Sequence, residues 1–155
     1  MTVTEGVVPG VLVLGVGNSL RADDGVGQAV VERLGGLLPP DAAQLRAVYQ
    51  LTPELAADLA DVALVVVVDA AAGVPAGDVV VSDLDAGASA GEPFSHSVDP
   101  AGLASLARVL YGASPRIVLV GIGPASLEPG EGLSPIVAAA VATAAERIAA
   151  IVREQ

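Results

Sequence analysis

Short apolar runs alternate with helical stripes along this chain. Continuous apolar runs of strand length occupy residues 11–16 and 63–68, and residues 116–122 form a further predicted strand. Runs of this kind are typical of strands buried on both faces of a parallel sheet. Two further segments, 44–49 and 78–84, also have the length and composition of strands, and the second of these resembles an edge strand. The pattern therefore predicts about five strands.

Helical patterns separate these strands. They cover residues 25–38, a short segment from Thr52, residues 100–111 and residues 135–153. The first shows apolar residues at helical spacing, so that one face is apolar: Val26, Val30, Val31 and Leu34. Alternation of strands and helices is typical of βαβ units. The sequence thus predicts an α/β fold, a three-layer sandwich in which a mostly parallel, twisted sheet of about five strands has helices on both faces.

Length and hydropathy place limits on this fold. A chain of 155 residues matches the usual size of one domain, so residues 1–155 are expected to form a single domain. No continuous apolar run approaches the roughly eighteen residues that cross a bilayer. The first ten residues contain no basic residue, unlike a secretory leader. These features predict a cytoplasmic protein that does not bind a membrane.

Charge and missing residue types exclude several kinds of chemistry. The chain has no cysteine and no lysine, and its seven arginines face eighteen carboxylates, a net charge of −11. Thiolate metal sites, cysteine nucleophiles, Schiff bases and P-loop chemistry are therefore excluded. The acidic balance disfavours nucleic acids and anionic lipids, and it is compatible with metal cations and basic protein segments.

A glycine turn follows the first strand and raises the question of a nucleotide site. Gly15 and Gly17 match the start of a dinucleotide-binding fingerprint, but its third glycine position is Leu20. The predicted second strand ends at Tyr49 without the carboxylate that would hold a ribose. A nucleotide-binding module is therefore the third hypothesis, behind two that depend on the carboxylates.

Acidic residues follow two of the predicted strands. Asp23 and Asp24 come after the first strand, and Asp69 ends the third. Because ligands of open α/β sheets gather beyond the carboxyl ends of the strands, these side chains are expected at one rim. His96, the only histidine, lies in a loop that can reach the same rim, and two carboxylates with one imidazole suit a divalent metal. Each also has a structural alternative: a helix cap for Asp24, a paired buried carboxylate for Asp69, an exposed surface position for His96.

Several short motifs occur in a characteristic order between about residues 11 and 149. They are Gly15-x-Gly17-Asn18-x-Leu20-x-x-Asp23-Asp24-Gly25-x-Gly27, Val68-Asp69-Ala70, Ser95-His96, Val120-Gly-Ile-Gly123, Ser126-Leu-Glu-Pro129 and Gly132-Leu-Ser-Pro135. In these motifs the chain resembles the hydrogenase maturation protease family. These endopeptidases trim the C-terminal tail of the nickel–iron hydrogenase large subunit.

The resemblance implies a site, a partner and a reaction. The family's fold is a five-stranded twisted sheet between helices, and its metal-contacting trio falls on Asp24, Asp69 and His96. It implies that the partner is a nickel–iron hydrogenase large-subunit precursor, that nickel is supplied by this substrate, and that no organic cofactor takes part. Nickel would polarise the scissile carbonyl or a bound water, with Asp24 or Asp69 as the catalytic base. Two carboxylates that share a proton, as in aspartic proteases, are the other route to hydrolysis.

Two further expectations complete this interpretation. The runner-up function is a non-hydrolytic metal-binding checkpoint protein that docks on the same nickel site with the same trio. The chain also departs from many family members, which carry a Gly-Gly-Thr loop after the second strand where this chain has Tyr49-Gln50-Leu51-Thr52-Pro53. The sequence therefore predicts the reaction without predicting which hydrogenase is processed.

Overall fold

A computed structural model describes residues 10–84 and 98–155. Their secondary structure is centred on a five-stranded sheet with the strand order β2-β1-β3-β5-β4. The strands are β1 (Val11–Val16), β2 (Gln44–Val48), β3 (Leu64–Ala70), β4 (Val79–Asp83) and β5 (Arg116–Ile122). The helices are α1 (Val26–Gly35), α2 (Ala56–Leu59), α3 (Pro100–Tyr111) and α4 (Pro135–Arg153), and 3₁₀ turns at Ala22–Gly25 and Pro53–Leu55 precede α1 and α2.

The sheet is mostly parallel, as the sequence predicts. β1 pairs in parallel with β2 and β3, and β3 pairs in parallel with β5. Among the described strands, β4 alone runs antiparallel, and it lies at the edge next to β5. The parallel pairing of β3 with β5 continues through Asp69 opposite Gly121. β3 is therefore longer than the apolar run at 63–68 indicates, and Asp69 lies within the strand.

Helices cover both faces of the sheet and create two apolar cores. In β1, Val11 and Val13 face the core shared with α1 and α4, whereas Leu12 and Leu14 face the core that includes residues of α2 and α3. This alternation follows from the two-residue period of a strand. The three-layer α/β sandwich expected from the sequence is therefore confirmed.

The first helix differs from its predicted bounds, whereas the last helix, Pro135–Arg153, matches them. α1 begins at Val26 after the 3₁₀ turn and ends at Gly35, so it is shorter than the predicted 25–38. Among the described residues, α4 is one helix long and apolar enough on average to cross a membrane, although Thr143, Glu146 and Arg147 interrupt its apolar residues. A core helix meets the same criterion, and α4 is buried along one side by Val137, Ala140, Ala144, Ala145, Ile148, Ala149 and Val152.

The cap of α3 gives a first test of the fold. Asp99 precedes Pro100, and its carboxylate accepts a hydrogen bond of 2.7 Å from the backbone N–H of Gly102. We expect Asp99→Ala to lower the free energy of unfolding by about 1 kcal/mol, because a first-turn N–H loses its partner. Asp99→Asn keeps an acceptor and should stay within a few tenths of a kcal/mol of the parent. Urea unfolding of the three proteins measures the difference, and equal losses would contradict the cap.

Candidate functional site

A cleft opens at the carboxyl ends of the two central strands, β1 and β3. The chain leaves β1 toward β2 on one side and leaves β3 toward β5 and β4 on the other. Ligands of open α/β sheets bind at such a topological switch point. The cleft has a volume of about 470 Å³, and the residues lining it include Gly17, Asp24, Tyr49, Asp69 and Asp99. The structure therefore brings Asp24 and Asp69 together, as the sequence predicts.

Close backbone packing holds the turn that carries Asp24. Gly17 has a φ of +141°, and a Cβ atom there would collide with the backbone oxygen of Asp24. Gly27 in α1 lies against the sheet, where a Cβ would be 2.6 Å from both the nitrogen of Val16 and the oxygen of Val68. Only glycine allows this approach. Gly17 and Gly27 therefore allow the start of α1 to pack directly against the ends of β1 and β3.

The turn also orients the carboxylate of Asp24. Its Oδ2 accepts a 2.8 Å hydrogen bond from the backbone N–H of Asn18, and Asn18 Oδ1 accepts one of 2.9 Å from the N–H of Leu20. Neither Asp24 nor Asp23 makes a side-chain cap bond at the turn or at α1, whose N-cap is Gly25. The alternative that Asp24 merely caps the helix is therefore wrong.

Asp69 is electrostatically unusual. The pKa of its carboxyl is raised to about 6, mainly by burial and also by the neighbouring charge of Asp24, while a hydrogen bond from the backbone of Ala70 acts in the opposite direction. Two carboxylates that repel each other across a partly buried cleft are stabilised by a cation. Asp69 is thus a half-buried carboxylate. In the described part of the chain it has no salt bridge to a cationic side chain, although its structural alternative requires such a partner.

The third predicted metal contact, His96, lies outside the described residues, so its position stays a prediction. Within residues 10–84 and 98–155, no group of three His, Cys, Asp or Glu side chains is arranged to hold a metal ion. The described chain resumes at Val98, and both Val98 and Asp99 line the cleft. Residues 98 and 99 therefore belong to the same site as Asp24 and Asp69.

Asp23 has a role that the sequence did not reveal. Its side chain is 0 % exposed, and it accepts hydrogen bonds from the backbone N–H groups of Ala125, Ser126 and Ser134 and from the Ser134 hydroxyl. Burial opposes ionisation, but these hydrogen bonds hold the pKa of Asp23 below its usual value. The partners are more than a hundred residues away in the chain, so the Asp23-Asp24 pair gave no local signal for them.

Comparison with characterised sequences identifies relatives over nearly the whole chain. A family model described as hydrogenase maturation protease matches residues 50–151. The hydrogenase 2 maturation protease of Escherichia coli (strain K12) is 32% identical over 149 residues, which cover 93% of this chain and 91% of that protein. The family-model match includes the segments that carry Asp69 and His96.

Solved structures show the same similarity in three dimensions. The hydrogenase maturating endopeptidase HybD from E. coli superposes with a TM-score of 0.72 at 30% identity, covering 93% of this chain and 92% of that one. A [NiFe] hydrogenase maturation protease HycI from Thermococcus kodakarensis KOD1 gives a TM-score of 0.73 at 30% identity, covering 92% of each chain. The fold described above, including the sheet at whose edge the cleft lies, is therefore similar to the folds of these two endopeptidases over more than nine-tenths of the chain.

Proposed function

Because this chain belongs to the hydrogenase maturation protease family and is a peptidase, we propose that it removes the C-terminal extension of a nickel–iron hydrogenase large-subunit precursor after nickel insertion. Asp24, Asp69 and His96 complete the coordination of a nickel ion that the precursor carries. Cleavage then follows metal loading. A peptidase is favoured over the non-hydrolytic checkpoint protein, because the matched relatives are named as proteases and endopeptidases.

The observation that carries this proposal is the pair of carboxylates at the switch point. Burial and the charge of Asp24 both disfavour the ionised form of Asp69. A divalent cation that arrives inside another protein removes this penalty, since it attracts both carboxylates at once. The two carboxylates are therefore more stable with a cation bound between them than without one. This suits an ion that arrives with the substrate and leaves with the product.

His96 supplies the third ligand in this proposal. Only one residue separates it from Val98, which lines the cleft, and two residues of chain span at most about 7 Å. Imidazole nitrogen with carboxylate oxygen is a donor set that suits a borderline divalent metal such as nickel. A position of His96 beside the two carboxylates is compatible with the place of Val98 at the cleft and is part of the proposal.

Hydrolysis of the peptide bond needs a base that takes a proton from water and a Lewis acid that polarises the carbonyl. With a pKa of about 6, Asp69 is mostly ionised at neutral pH and is more basic than an ordinary carboxylate, which suits a residue that takes a proton from water. This value belongs to the free protein, and nickel bound beside the carboxylate would lower it again, so Asp24 and Asp69 both remain candidates for the base, with nickel as the Lewis acid. A carboxylate dyad sharing one proton also raises one pKa, so the nickel dependence of cleavage distinguishes the two routes.

Processing of a purified precursor tests the proposal. Nickel-loaded precursor should be cleaved and nickel-free precursor should not. Asp24→Asn and His96→Ala should each lose at least about 100-fold in rate, as expected when a metal contact is removed. Asp83→Asn is a matched control, because Asp83 is an exposed carboxylate paired with Arg116 on β5. Cleavage of nickel-free and nickel-loaded precursor at the same rate would favour two carboxylates that share a proton. Full activity of both Asp24→Asn and His96→Ala would exclude the proposed metal contacts.

The partner and the location belong to the same proposal. The large-subunit precursor is the expected partner, and the reaction is expected in the cytoplasm. Co-purification of the chain with a precursor of its own organism, followed by detection of both in the cytoplasmic fraction, tests these two points. Recovery of the chain in a membrane fraction would contradict the second.

A further inference from the structure

The carboxylate of Asp23 connects two segments that are distant in the chain. One is the turn 18–24, which follows β1, and the other is the loop 124–134, which follows β5. Asp23 Oδ2 accepts hydrogen bonds of 2.9 Å from Ala125 N and 3.0 Å from Ser126 N, and its Oδ1 accepts one of 2.7 Å from Ser134 N. The Ser134 hydroxyl also donates to this carboxylate, at 2.8 Å from Oδ2. All four of these groups donate hydrogen bonds, so both side-chain oxygens of Asp23 must act as acceptors.

Backbone hydrogen bonds join the same two segments. Ala22 N donates to Gly130 O and Gly130 N donates to Leu20 O, both at 2.8 Å, while Asp23 N donates to Ser126 O at 3.1 Å. The turn 18–24 is thus bonded along its length to the loop 124–134. The two segments form one unit whose central side chain is buried.

This attachment holds the turn in an unfavourable conformation. Ala22 has a φ of +50°, the left-handed region that residues with a Cβ rarely adopt. Such a conformation persists where surrounding contacts enforce it, and these positions cluster at functional sites. Here the enforcing contacts are the bonds of Ala22 and Asp23 to the loop.

We propose that Asp23 is a positioning residue that fixes the Asp24 carboxylate over the cleft by clamping the turn 18–24 to the loop 124–134. Asp24 N donates to Arg21 O, and the Asp24 carboxylate is held by Asn18 N. Arg21 N in turn donates to Asn18 O. The position of Asp24 therefore depends on the same short turn that Asp23 anchors. Asp23 itself does not line the cleft.

This inference rests on the function proposed for Asp24, and its test separates the two. Asp23→Asn keeps the shape of the side chain but presents an NH₂ group to N–H donors. Because loss of a supporting residue typically lowers activity about 10–100-fold, we expect kcat for nickel-loaded precursor to fall by that factor, with KM changed less than about threefold. In addition, the Asn18 amide proton should exchange with solvent at least about tenfold faster, because its bond to Asp24 is weakened.

The matched control is Ile148→Val, a conservative change at a fully buried position of α4 that does not line the cleft. Its Asn18 exchange and kcat should stay at the parent values at a temperature well below both melting points. Ser134→Ala is the milder variant, since it removes the hydroxyl and keeps the three N–H bonds. It should give a smaller change in the same direction, and it decides the question if Asp23→Asn does not fold.

The exchange measurement needs no precursor, so it tests the clamp even if the parent protein does not process the precursor used. Faster Asn18 exchange in Asp23→Asn or Ser134→Ala, without a change in Ile148→Val, supports the positioning role. Parent-like exchange and kcat in the folded Asp23 or Ser134 variants overturn it. An equal loss in Ile148→Val also overturns it, because the effect would then follow stability alone.

Discussion

Asp69→Asn is expected to make the isolated protein more stable at pH 7 and, in the same variant, to lower precursor processing about 1000-fold. The stability gain follows from removing a partly buried charge that lies near Asp24. The activity loss follows from removing a carboxylate that is proposed to contact nickel and is one of the two candidates for the base, and loss of a general base alone costs about 10²–10⁴-fold. Opposite effects on stability and activity are typical of groups that function in an unfavourable environment.

The pH dependence of this gain can be derived from the pKa of Asp69. The carboxyl has an ordinary value of 3.8 and a folded value of about 6. Because folding raises the pKa, the protonated carboxyl contributes stability that is fully present below about pH 4 and is lost as the pH rises through 6. A shift of this size corresponds to about 3 kcal/mol at 1.36 kcal/mol per unit, and partial exposure of the group reduces this to about 2 kcal/mol.

Urea unfolding at pH 4, 5.5 and 7 measures this difference. Asp69→Asn and the parent should have similar free energies of unfolding at pH 4, and the variant should be about 2 kcal/mol more stable at pH 7. Asp83→Asn is again the control, because Arg116 holds the pKa of the Asp83 carboxyl below its usual value, mainly through a hydrogen bond. That variant should show no gain at pH 7. A constant difference between Asp69→Asn and the parent across this range would contradict the burial of an ionisable Asp69.

The sequence predicted the part of the site that follows from topology. Once alternating runs indicate parallel strands, the carboxyl ends of those strands must meet at one edge, so Asp24 and Asp69 were expected together. The structure places both in one cleft. This inference needs only the strand assignments and no knowledge of side-chain contacts, which is why it was accessible from the residues alone.

The role of Asp23 was not accessible in this way. A pair of adjacent aspartates before a helix suggests that one of them is a cap, and local spacing offers no other partner. The actual partners, Ala125, Ser126 and Ser134, are brought to Asp23 by the return of the chain through β5. Tertiary hydrogen bonds of this separation leave no periodic signal. For His96 the sequence prediction remains a prediction, supported by the place of Val98 at the cleft.

The same substitution at the two ends of α1 provides the second test. Gly27→Ala places a methyl group 2.6 Å from backbone atoms of both Val16 and Val68, which are main-chain atoms that cannot rotate away. α1 must therefore move off the sheet. We expect a loss of about 3 kcal/mol or more in the free energy of unfolding, at the upper end of the cost of overpacking.

Gly35→Ala is the matched control, because Gly35 is the last residue of α1 and a Cβ there has no neighbour within 4 Å. Alanine lowers the entropy of the unfolded chain, so this variant should be unchanged or more stable by up to about 1 kcal/mol. Urea unfolding measures both variants, and precursor processing should fall only in Gly27→Ala, since α1 carries the turn of Asp24 with it. If both variants behave alike, the close contact of α1 with β1 and β3 does not position the site.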